Sequence, residues 1–133
     1  NSLGTLAPFL NQASGIMNKI YGATGEEVTQ KDIKQLTTNH ESRIKRDESS
    51  NVVVKLFNPA GAGTWYLSEL YPDKNIAYGL CCITEAEFGN VSVEELKSLK
   101  LPMGLTIEKD KWFPANRYSL EDCLTEYEKG NRL

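Results

Sequence analysis

Three short runs rich in β-branched and aromatic residues follow one another between Val52 and Ile83: VVVKLF, TWYLSEL and IAYGLCCI. Turn chemistry separates them, NPAGAG after the first and YPDKN after the second. Runs of this kind joined by short links favour antiparallel hairpins, because a parallel return needs a crossover of a dozen or more residues. The reading places strands over 52–57, 64–70 and 76–83, and a shorter fourth over 106–108. In an unbroken strand Trp65, Leu67 and Glu69 share one face, and Tyr66, Ser68 and Leu70 the other.

On either side of this block the apolar spacing lengthens to three and four residues. Leu6, Phe9, Leu10, Ala13, Ile16, Met17 and Ile20 predict a first helix, with Pro8 in its first turn and Gly22 and Gly25 beyond its end. Thr29 is placed to cap a second helix carrying Asp32 in its first turn and a thin stripe of Val28, Ile33 and Leu36. A polar tract from Arg43 to Asn51 reads as a linker. Ser92-Val93-Glu94-Glu95 has the form of a capping box opening a helix through Leu99. A last helix runs from Ser119 to about Glu128, with Leu120, Cys123, Leu124 and Tyr127 on one face and Gly130 as its stop. The expected fold class is α+β: a small antiparallel sheet of three to five strands with helices packed against it. Residues 1–28 read as an N-terminal helical extension, and 29–133 as a single domain.

Charge narrows the function classes. Residues 51–133 hold nine Lys and Arg against twelve Asp and Glu, and carry the whole formal charge of −3. The one basic clump, Arg43, Lys45 and Arg46, is followed at once by Asp47 and Glu48. A nucleic-acid grip needs a larger basic stripe, so direct binding is not expected and another protein is the expected partner. Apolar runs stay below the ~18 residues of a membrane span, so no membrane is expected. Three cysteines without a C-x-x-C spacing suit a reducing cytoplasm. The start NSLGTLAPFL has no basic leader region, although an Asn1 start leaves room for a trimmed one. Cys81 and Cys82 are adjacent in an apolar run and point to opposite faces of a strand.

The glycines of NPAGAGTWYLSEL raise the question of a phosphate cradle. A phosphate loop needs a lysine and a following helix, whereas Gly63 is followed by Thr64-Trp65-Tyr66, which is strand sequence. The glycines are therefore expected to bend a hairpin. His40 is the only histidine, so neither a zinc site nor a Ser-His-Asp set is expected. No cofactor, metal or catalytic residue is assigned. A carboxylate on an aromatic face can act as a general acid or base. Candidate binding residues are Trp65, Tyr66, Glu69, Glu108, Asp110 and Trp112. The cluster Lys111-Trp112-Phe113-Pro114 with Tyr118 is expected to fasten the last segment to the sheet, with a binding surface as the alternative.

The pieces Trp65 with Glu69, Gly79-Leu80, GNVSVEEL over Gly89 to Leu96, and LTIEKD over Leu105 to Asp110 occur in an order that resembles bacterial domain-of-unknown-function family 2958. The resemblance covers roughly residues 29 to 120. Lys109 stands where members often have Arg, and Asn90 where an aromatic is common. The resemblance implies a bacterial accessory protein associated with plasmids and other mobile elements, without an established enzymatic role. Some similar proteins are linked with inhibition of CRISPR nucleases. The expected function is a non-catalytic interaction module that modulates a nuclease or DNA-processing protein. The alternative is a ligand binder or hydrolase built around Glu69 and Trp65.

Overall fold

A computed structural model describes residues 15–42, 50–71 and 75–133. Among them runs one antiparallel sheet of five strands in the order β4-β3-β2-β1-β5. The strands are β1 Val54–Phe57, β2 Thr64–Tyr71, β3 Ile76–Cys82, β4 Ala86–Ser92 and β5 Glu108–Lys109. Helix α1 spans Gln30–Glu41, α2 Val93–Ser98 and α3 Leu120–Glu128. The α+β class is as expected. Most of the predicted first helix, and most of the 43–51 linker with its basic clump, lie outside the described residues. So does the centre of the turn after Tyr71.

Helix starts follow the capping chemistry. The Thr29 hydroxyl accepts from the Asp32 N–H, and the Asp32 carboxylate accepts in return from the Thr29 N–H. Ser119 and Asp122 repeat that reciprocal pair at α3. At α2 the Ser92 hydroxyl accepts from the Glu95 N–H. Each such pair satisfies donors that the first helical turn otherwise leaves open. Gly130, at φ +87°, takes the left-handed conformation beyond α3.

The sheet has a core on each face. Val54, Leu56, Trp65, Leu67, Leu70 and Ala77 pack with Ile33 and Leu36 of α1, and Val93 and Leu96 of α2. Met17 and Ile20, both fully buried, join this side. On the other face Tyr66, Leu80 and Cys82 pack with Leu120 and Cys123 of α3. Cys81 packs against the first core and Cys82 within the second, as strand alternation requires. α3 is fixed by pairing of 50–52 with 116–120. Val52 N donates to Tyr118 O at 2.8 Å, and Leu120 N to Ser50 O at 2.9 Å.

Two features differ from the sequence reading. β4 was not anticipated: AEFGNVS has a glycine, an asparagine and weak alternation, and it pairs residue for residue with β3 in spite of that. The second is a bulge in β2. Leu67 faces Gly79 and Glu69 faces Tyr78, so the register shifts by one residue at Ser68. A bulge inserts an extra residue and resets the alternation beyond it. Leu70, not Glu69, therefore continues the face of Trp65 and Leu67, where it pairs with Ala77.

Candidate functional site

The NPAGAG stretch is a hairpin loop. Asn58 N donates to Gly63 O at 2.8 Å, and Phe57 pairs with Thr64 immediately beyond. The Asn58 side chain organises the interior, its Oδ1 accepting from Ala60 N at 2.7 Å and its Nδ2 donating to Ala62 O at 3.1 Å. Gly63 sits at φ +136°, and a Cβ there would lie 3.0 Å from Trp65 Cη2. Positive φ and the ring beneath both demand glycine.

This loop forms one wall of a groove of about 500 Å³. The opposite wall is the segment after β5. Asp110 Oδ1 accepts from Trp112 N at 2.9 Å, and Phe113 N donates to Asp110 O at 3.3 Å. This Asx-type turn throws consecutive aromatics apart. Phe113 lies against Tyr66 and Tyr118, with ring centroids 6.0 Å away in each case. Trp112 stands at the groove with 82% of its surface exposed. The aromatic cluster thus divides: Phe113 and Tyr118 fasten the segment, and Trp112 faces solvent.

Four cations reach the groove from distant parts of the chain: Lys55, Lys109, Lys111 and Arg132. Lys55 Nζ is 3.1 Å from Asp110 Oδ2 and donates to Leu133 O at 2.7 Å. Lys109 Nζ donates to Glu27 O at 2.8 Å and is 3.9 Å from Asp32 Oδ2. Lys111 Nζ is 3.5 Å from Glu26 Oε1 and 5.1 Å from the Trp112 ring centroid. Desolvation pushes the Glu26 carboxyl up, but the N–H groups of Glu26 and Thr24 and the Lys111 ammonium together hold it below its ordinary value. Arg132 lies over Tyr127 at 4.2 Å and donates to Asn131 O.

The neutralisation is therefore partial. Asp110, Asp32 and Glu26 answer three cations, which leaves a small positive excess in a chain of net charge −3. The Lys111–Glu26 pair is open to solvent, where an ion pair contributes about 0–1 kcal/mol. An incoming anion can recruit that ammonium at little cost. Apart from the charges, the lining is Phe57, Trp112, small residues and lysine stems. The site suits a group that is part anionic and part apolar.

The six candidate residues are not brought together. Asp110 and Trp112 line the groove. Glu108 pairs with Phe57 in β5. Trp65 and Tyr66 are buried on opposite faces of the sheet. Glu69 is 2% exposed and opens onto a separate polar cleft with Gln35, Asn39, Ser42, Ser50, Asn51 and Asn116. His40 Nδ1 is 3.4 Å from Glu69 Oε1, and its ring stacks on Tyr71 at 3.9 Å. Asn39 Nδ2 donates to Ser68 O at 2.9 Å, bracing the bulge from α1. The sequence reading missed Lys55 and Arg132, and had no local signal by which to find them. Lys109 and Lys111 flank Asp110, which was the one available hint.

Among the described residues no His, Cys, Asp and Glu are grouped to hold a metal ion, and no helix is long and apolar enough to cross a membrane. All three thiols are free, and burial pushes them up: Cys81 and Cys82 to about 11, Cys123 to about 12. Nucleophilic thiol chemistry wants the opposite shift.

No curated protein and no solved structure matches the chain. A family model does: that of the protein family of unknown function DUF2958, over residues 28–129 of the 133. That stretch takes in the five described strands, helices α1 to α3 and most of the groove, so the chain belongs to the DUF2958 family.

Proposed function

We propose that this protein is a non-catalytic interaction module whose groove receives a short acidic and apolar segment of a partner protein. The observation that carries the reading is Trp112, 82% exposed beside a mildly cationic cleft on an acidic chain. An exposed tryptophan flanked by cations and set beside a cleft has the make-up of an interface anchor, since aromatic side chains with neighbouring charges dominate the energetics of protein interfaces. A long polyanion such as nucleic acid suits the surface less well. The groove's positive excess is small, while the chain as a whole repels negative charge. The scatter of the carboxylates also speaks for binding over catalysis, since Glu69 and Asp110 line different clefts.

Within a bacterial mobile element, the fitting partner is a nuclease or DNA-processing protein with an acidic, aromatic-bearing loop. That setting and a cytoplasmic location rest on the family resemblance and on the cysteine usage. A small amphipathic anion is the second reading, favoured by a groove of about 500 Å³.

The test is affinity capture from the host, repeated with Trp112→Ala and Lys111→Glu. It is combined with titration of acidic aromatic peptides followed by tryptophan fluorescence. Trp65 is already buried, so a signal change on binding reports Trp112. Each substitution is expected to weaken binding by about tenfold or more, since truncating an interface anchor typically removes 2 kcal/mol or so. Capture unaffected by both substitutions refutes the reading. A rise in melting temperature with a metabolite, and none with peptides, selects the small-ligand alternative.

A further inference from the structure

The two edges of the sheet are treated differently. At the β5 edge, Lys109 N donates to Tyr21 O at 3.0 Å, and the Lys109 side chain reaches Glu27 O, so residues 21–27 cover that edge. At the other edge lies β4. All seven of its residues pair with β3, and among the described residues no backbone hydrogen bond leaves its outer side. None of its side chains is fully buried, and Glu87 and Asn90 are exposed.

Exposed edges invite strand addition, and proteins blunt them with charged side chains (lysine above all), proline, bulges, brevity or a covering loop. The strand AEFGNVS has little of this: no Lys, no Pro, no register shift and seven residues of length. Its only charge is Glu87.

We propose that β4 pairs antiparallel with β4 of a second copy about a two-fold axis through Gly89, making one continuous ten-stranded sheet. This register uses the whole strand. Ala86 stands opposite Ser92 of the second copy, Glu87 opposite Val91, Phe88 opposite Asn90, and Gly89 opposite itself. Side chains that share a face within one copy stay on a common face across the joint, as antiparallel pairing demands. Neither glutamate meets its own image, so the strand is self-compatible in charge. The absent Gly89 side chains leave the centre of the joint open. An isologous contact of this kind closes on itself and does not propagate. The groove lies at the β1–β5 end of the sheet order, so self-association and partner binding are independent.

The substitution Gly89→Lys tests the register. A Cβ at this position meets nothing within 4 Å, and its φ is not positive, so the monomer tolerates a side chain there. In the pair, two ammonium groups then face each other across the axis. Sedimentation velocity over a concentration series is expected to show a reversible dimer for the wild type. Gly89→Lys weakens it by about fivefold or more, because like charges directly opposite destabilise a strand pair. Mixing Gly89→Lys with Gly89→Glu chains restores association as a heterodimer. A wild type that stays monomeric throughout overturns the proposal. So does a dimer indifferent to Gly89→Lys with no gain on mixing.

Discussion

Replacing Gly79 by alanine adds one methyl group at the tightest point in the sheet. A Cβ on Gly79 would lie 1.9 Å from Tyr66 O, 2.8 Å from Tyr66 C and 2.9 Å from Leu67 Cα. All three obstacles are backbone atoms of the neighbouring strand, so no side chain can swing aside. Relief requires β2 and β3 to separate by more than 1 Å or so beside the β2 bulge, which stretches ladder hydrogen bonds and opens the packing of Leu67 and Leu80. Overpacking of this kind, joined to lost backbone bonds, is expected to cost about 3–5 kcal/mol. At roughly 2.1 cal/mol/K of unfolding entropy per residue, 3 kcal/mol lowers the melting temperature of a chain this size by about 10 °C. Gly89 supplies the internal control, since it pairs directly with Gly79 and has open space around its Cβ position. Gly89→Ala is expected to be neutral or stabilising by up to about 1 kcal/mol. The assay is urea and thermal unfolding of both variants beside the wild type. Equal tolerance of the two alanines would refute the close approach, and with it the strand register on which both cores depend.

Four further outcomes rest on the same geometry. Buried Cys82 and Cys123 should resist alkylation near pH 8 and react on unfolding, because burial has pushed their pKa values from 9.0 to about 11 and about 12. Raised thiol values mean that the folded state holds these protons more tightly. Their contribution to stability is therefore fully present below about pH 9 and lost as pH climbs through 11 to 12; Cys123→Ala should flatten that decline. Ser119→Ala removes the hydroxyl that accepts from Asp122 N at 3.0 Å, and should lower stability by about 1 kcal/mol in a denaturant titration. Trp112→Ala, by contrast, should change stability by less than about 0.5 kcal/mol while abolishing the fluorescence response to partner peptides, since so exposed a side chain contributes little to the core.

Local chemistry in the sequence determined the elements. Thr29, Ser92 and Ser119 marked three helix starts, because capping is a contact among residues two or three positions apart. The runs around Leu56, Trp65 and Leu80 marked three strands, and the missing lysine and helix after Gly63 ruled that bend a hairpin. The family was legible as well, in motifs that the 28–129 match encompasses.

Tertiary structure decided the rest. β4 exists because β3 offers it a pairing edge, not because AEFGNVS has a strong strand preference of its own. A single extra residue at Ser68 took Glu69 off the Trp65 face, and no spacing rule foretells where a bulge falls. The groove is the clearest case. Lys55, Lys111 and Arg132 meet only because β1, the end of β5 and the chain beyond α3 converge in space. Charge that looks balanced along a chain can thus be concentrated at one place on its surface: electrostatic fields depend on distance through space, which a linear order of residues does not record.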